Sequence, residues 1–171
     1  DGAIAELAAG LAARGMLPAG AVLLHCSGAL AAEEAFAGVA AHGRALMHPL
    51  VSLAPGAPAG VFRGCTFAIQ GDPPGREAAS RLANLLGGLP VEIESAALSR
   101  YHAGAVFASN YLPVLLAAGA RLLEQAGFPD EPTARAALGP LVRSILESTL
   151  RLGPAEALTG RSARRAGGRL L

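Results

Sequence analysis

Histidine, cysteine and serine stand together at His25-Cys26-Ser27-Gly28, directly after the apolar run Ala21-Val22-Leu23-Leu24. An imidazole exchanges protons near neutral pH, a thiol or hydroxyl attacks or binds, and a glycine lets backbone N–H groups approach a ligand. The same order recurs where Ala45-Leu46-Met47 runs into His48-Pro49. A buried strand that stops at polar groups is how open α/β sheets build sites at their carboxyl ends, so both histidines are expected on one sheet edge. A third group lies between Tyr101 and Tyr111. On a helix His102 and Ser109 fall nearly in line two turns apart, with Asn110 about 80° round the same broad face. The small residues at 103 to 105 and 108 leave room beside that face.

All 14 basic residues are arginine. Without lysine, this sequence has no Schiff-base amine and no lysine general acid, which leaves His, Ser, Cys, Tyr and carboxylates for proton work. His102 is the candidate general acid or base, and Ser27 is grouped with it as catalytic. His48, Ser109 and Asn110 are the candidate substrate ligands. Ser27-Gly28 at a strand end offers a hydroxyl and backbone N–H groups to a ligand. Two readings are weaker. His25, Cys26, His48 and His102 lack the close paired spacing of zinc ligands, so no metal is expected, and a Cys26 nucleophile has no second hydrolase feature beside it. His42 reads as a solvated helix-end residue and Cys65 as packing. Pro113 cannot donate to the carbonyl of Ser109, which predicts either a kink or a boundary between two shorter helices.

With 171 residues, 52% of them apolar, the chain can bury a sizeable core. A net charge of +1 gives no electrostatic case for nucleic acid or an acidic membrane. No apolar run approaches the roughly 18 residues of a bilayer span, and no signal-peptide pattern opens the chain, so a cytoplasmic location is expected. The two cysteines make no disulfide framework. Arg161, Arg164, Arg165 and Arg169 read as a solvated tail without interleaved aromatics.

The elements that must position these groups follow from periodicity. Asp1 caps a helix carrying Ile4, Leu7 and Leu11 and ended by Gly15; a strand covers 21–24, a helix 30–41 and a strand 44–47. A Pro/Gly-rich loop over 52–60 leads to a strand at 65–69, a helix at 75–87 and a strand at 90–94. This alternation predicts a mainly parallel sheet covered by helices. From Ser95 onward the pattern is helical: one long helix over 96–126, and a second over 132–152 that Gly139-Pro140 is expected to bend or break. The domains are therefore set at 1–94 and 95–171. Leu115, Leu116, Leu122, Leu123, Leu141, Ile145 and Leu146 exceed what a two-helix unit can bury internally, which predicts self-association. No strand is followed by G-x-G-x-x-G.

His25-Cys26-Ser27-Gly28, His48-Pro49-Leu50, Gly71-Asp72, the run Tyr101 to Tyr111 and Leu158-Thr159-Gly160 together resemble the Rossmann-like proteins that carry the domain DUF2520. These are relatives of deazaflavin-dependent NADP reductase, pyrroline-5-carboxylate reductase and 6-phosphogluconate dehydrogenase. The resemblance implies an incomplete Rossmann-like sheet followed by an all-helical domain like the C-terminal domain of 6-phosphogluconate dehydrogenase. It also implies NADP as cofactor, a homodimer formed through the helical domain, and an active site between the two domains. His25, Cys26, Ser27 and Gly28 would then lie at the nicotinamide end of the cofactor, with His102, Ser109 and Asn110 closing the cleft. The implied function is NAD(P)-dependent oxidoreduction of a small carbonyl, imine or hydroxy substrate. The alternatives are a catalytically silent ligand-sensing or scaffold dimer, and a Cys or Ser hydrolase. Arg161 stands where the family has proline after Leu-Thr-Gly, and with the glycine fingerprint missing the sequence reads as a fragment expected to bind cofactor poorly.

Overall fold

A computed structural model of the chain describes residues 2–158. The chain divides into two compact units, residues 1–109 and 110–171. In the first, α1 (Ile4–Ala13) leads to β1 (Val22–His25), α2 (Ala32–Ala35) and β2 (Gly43–Pro49). Then come β3 (Thr66–Gly71), α3 (Pro73–Leu85), β4 (Leu89–Glu92) and α4 (Leu98–Ala108), with short 3-10 turns at Ala59–Phe62 and Ser95–Ala97.

The sheet order is β1-β2-β3-β4. The outer pairs β1/β2 and β3/β4 are parallel, and β2 and β3 run antiparallel. The sheet is thus mostly parallel, as expected, with one reversal at its centre. Period-two alternation gives it two apolar faces. Ala45, Met47, Phe67 and Ile69 pack against Ala79 and Ala83 of α3 on one side. On the other, Leu46 packs with Ala31 and Leu98, while Leu23 joins the cluster of Ala8, Ala32, Ala35, Phe36 and Val39 that holds α1 and α2. Phe67, Leu46 and Ile69 are the largest fully buried side chains, each stabilising the fold by roughly 1.5–3 kcal/mol.

The second unit contains α5 (Tyr111–Gln125), α6 (Glu131–Leu152) and α7 (Pro154–Ala157). Asp130 caps α6 by accepting from the Thr133 N–H at 2.8 Å. Its buried residues are small, Ala120, Ala134 and Ala157, and Gly119 lies close to Leu138.

Several expectations need correction. The helix over 30–41 is only one turn: after Phe36 the chain turns through Gly38 at φ 73°, a left-handed conformation, and so returns Val39 to the core without a helix. The helix over 96–126 is two, separated at Ser109-Asn110, so Pro113 falls in the first turn of α5, where its missing N–H costs no intrahelical bond. Gly139-Pro140 does not end α6, which continues to Leu152 and stops at Gly153. The run Ser95–Gln125 is, by length and composition, long and apolar enough to cross a bilayer, contrary to the reading of the sequence. Leu98 in that run is nevertheless buried against the sheet. By packing, α4 falls in the first compact unit, which ends at Ser109. The Asp1 cap, Thr159-Gly160 and the arginine tail lie outside the described residues.

Candidate active site

Strand alternation decides which side chains meet. Ala45 and Met47 of β2 face α3, so Leu46 and His48 face α4. Leu24 of β1 likewise faces α3, and Leu23 and His25 the other side. The parallel register pairs His25 with Leu46, which puts His48 two residues further toward the same carboxyl edge. Tyr101 sits one turn beyond the buried anchor Leu98 on α4, so its ring reaches that edge from above the sheet.

There the Tyr101 hydroxyl and His48 Nδ1 are hydrogen-bonded at 2.5 Å, with the rings edge-on at 83° and 5.6 Å between centroids. Gly28 closes the other side. A Cβ on Gly28 would lie 3.0 Å from His48 Nε2 and 3.1 Å from both Cδ2 and Cε1. Near-equal distances to three ring atoms mean contact with the ring face, so any side chain here would make the ring give by a few tenths of an ångström. His48 Nε2 has no hydrogen-bond partner among the described residues. His102 follows Tyr101, and its Nδ1 is buried without a partner among the described residues.

His25 is buried at the end of β1. Its Nδ1 accepts the Ser27 N–H at 3.2 Å, its ring meets Phe36 edge-on at 5.4 Å, and its Nε2 is buried without a partner among the described residues. The Ser27 hydroxyl accepts from the Ala29 N–H at 3.5 Å. Burial lowers the His25 pKa; burial and then the charge of His102 lower that of His48. Burial raises the phenol of Tyr101. All three groups are therefore neutral at pH 7, a set of hydrogen-bonding groups without fixed charge.

The structure brings His25, Ser27, Gly28, His48 and His102 to one edge of one unit. Ser109 is not with them: it lies seven residues past His102, about 10 Å along the helix axis, and its hydroxyl donates to the Ala105 carbonyl at 2.6 Å. Asn110 opens the second unit. Cys26 is exposed, and desolvation pushes its thiol up, away from the thiolate a nucleophile needs. Sequence reasoning missed Tyr101, whose only signal is its place three residues after an apolar anchor and beside His102.

It also missed a second polar network. Gln70, buried in β3, accepts from the Ala32 N–H at 2.9 Å and donates to Glu33 at 2.7 Å and Ser95 at 2.8 Å. Ser95 donates to Glu33 in turn at 2.7 Å, which holds that carboxyl below the usual range. A cleft of about 530 Å³ opens here between Gln70, Gly71, Arg76, Glu92 and Ser95. Because β3 and β4 run against β2, these strand ends lie at the edge opposite His48. The cleft and the histidine cluster are separate features.

A Rossmann-like α/β unit with histidines at a carboxyl edge, followed by a helical unit, defines the class of protein. The chain belongs to the DUF2520 family, described as a domain of unknown function, which matches residues 65–167. Its fold is similar to that of protein TM1727 from Thermotoga maritima, with a TM-score of 0.77 and 26% identity over 98% of this chain and 62% of that one. It is also similar to the putative NADP oxidoreductase BF3122 from Bacteroides fragilis, with a TM-score of 0.76 and 20% identity over 98% of this chain and 61% of that one. The chain thus spans about 62% of the length of these solved relatives. No curated protein matches it.

Proposed function

We propose that the protein is an NADP(H)-dependent oxidoreductase acting on a small carbonyl, imine or hydroxy compound, and that it works as a homodimer joined through its helical unit. The observation that carries this reading is the His48–Tyr101 pair at the carboxyl edge of a Rossmann-like sheet, with His102 beside it. The cluster suits the phosphate-free nicotinamide end of a dinucleotide: His25, His48 and Tyr101 are neutral, His102 Nδ1 is buried without a partner among the described residues, and Gly28 leaves the face of the His48 ring closely approachable. His25, Cys26, Ser27 and Gly28 would hold that end, and the bound cofactor would supply or take up a hydride. His48 binds the substrate oxygen or nitrogen through Nε2, and His102 holds or takes the accompanying proton. Ser27 positions the substrate from the β1 side.

Support for NADP comes from the fold shared with the Bacteroides protein and from the neutral cluster together. Calorimetric titration of NADPH and NADH into the longest natural form of the protein tests it. Micromolar binding with preference for NADPH is expected. Failure of both nucleotides to bind would overturn the redox reading in favour of a ligand-sensing or scaffold dimer.

A further inference from the structure

We propose that Tyr101 is a positioning residue that fixes His48 as the Nε2–H tautomer, so that the imidazole presents an N–H donor to the substrate oxygen. This rests on the functional reading above for the identity of the acceptor, and on geometry alone for the tautomer.

A neutral imidazole has one donor and one acceptor nitrogen, and a phenol hydroxyl can serve either way. Two arrangements are therefore possible across the contact between His48 Nδ1 and the Tyr101 hydroxyl. If Nδ1–H donated, the phenol hydrogen would need another acceptor, and Tyr101 has none among the described residues. Leaving a half-buried donor unpaired costs more than the alternative. If the phenol donates, every polar hydrogen at the contact is paired and the remaining one sits on Nε2. The phenol is also the stronger acid of the two donors, which favours O–H···N over N–H···O.

The hydrogen bond holds the ring in one of its two flip states, with the backbone of Gly28 over its face and Tyr101 meeting it edge-on at 5.6 Å. Rotation by half a turn would exchange Nδ1 for carbon opposite the hydroxyl and lose the hydrogen bond. The direction of Nε2–H is thus set before any ligand arrives, which is how a neutral donor becomes effective against charge developing on an oxygen.

Long-range ¹H–¹⁵N correlation spectra of protein carrying ¹⁵N-histidine, recorded near pH 8 without nucleotide, test the assignment. His48 is expected to show an unprotonated Nδ1 and a protonated Nε2, with no averaging. In Tyr101→Phe the two nitrogens should move toward averaged, mixed-tautomer values, while His25 and His42 keep their signals. A protonated Nδ1 in the wild-type protein, or an unchanged His48 pattern in a folded Tyr101→Phe, would overturn the proposal. Should that variant fail to fold, the wild-type pattern still decides, as does observation of a protected Tyr101 hydroxyl proton close to the His48 ring. A fixed tautomer in a protein that binds no nucleotide would sink the redox reading and leave Tyr101's role standing; a mixed tautomer in one that binds NADPH would do the reverse.

Discussion

At the scale of single residues, the cluster couples function to proton balance. His25 has its pKa lowered below the ordinary 6.5 by burial. Between that lowered value and about 6.5 the unfolded chain binds a proton that the folded chain refuses, so stability rises with pH through this window and is lost as pH falls through it. The slope is at most about 1.4 kcal/mol per pH unit for each such histidine. Urea unfolding followed from about pH 5 to about pH 7.5 should show this rise, flattened in His25→Gln. His102→Gln should lower turnover roughly 100-fold with NADPH affinity nearly unchanged. Undiminished turnover per folded protein would remove its catalytic role. Gly28→Ala places a methyl 3.0–3.1 Å from the His48 ring atoms, so the ring must shift by a few tenths of an ångström, which should weaken the Tyr101 hydrogen bond and show as loss of the fixed His48 nitrogen pattern.

At the scale of elements, α3 is tied to the sheet through Asp72. Its carboxylate accepts from the Gly75 N–H at 2.9 Å, capping α3, and from the Arg44 N–H of β2 at 3.0 and 3.1 Å. Asp72→Ala should therefore lower stability by about 1–2 kcal/mol in chemical denaturation. Gly75→Ala should cost about 3 kcal/mol or more, since its Cβ would sit 2.2 Å from the Arg44 carbonyl oxygen in rigid backbone. The strands themselves were legible, because each short apolar run ends in Gly, Pro or a polar group. Their directions were not: buried parallel and antiparallel strands carry the same apolar runs, so nothing in Thr66–Gly71 announces its reversal against β2. Phe36 and Val39 have helical spacing, yet a turn through Gly38 brings both inward just as well. The histidine edge could be read from His25 and His48 because each follows an apolar run. Tyr101 could not, since it reaches the site across the face of the sheet and no local pattern records such a contact.

At the scale of the whole molecule, the helical unit leaves large side chains uncovered: Leu115 is 69% exposed, Leu122 65%, Leu141 65% and Leu150 80%. Sedimentation at micromolar concentration is expected to give a dimer, and a clean monomer would count against association through this unit. The reversal between β2 and β3 bears on the order in which the molecule is made. It sends β4 to the edge away from His48, so the chain must pass back over the sheet through α4 before Tyr101 reaches a partner 53 residues earlier. Contacts so distant in sequence pay loop-closure entropy early and are rewarded late. During synthesis the four strands are complete once Glu92 has emerged, while the imidazole of His48 still waits for its phenol. In refolding, the sheet should gain its β-signal before Tyr101 becomes protected from solvent, with the site arriving in the last kinetic phase.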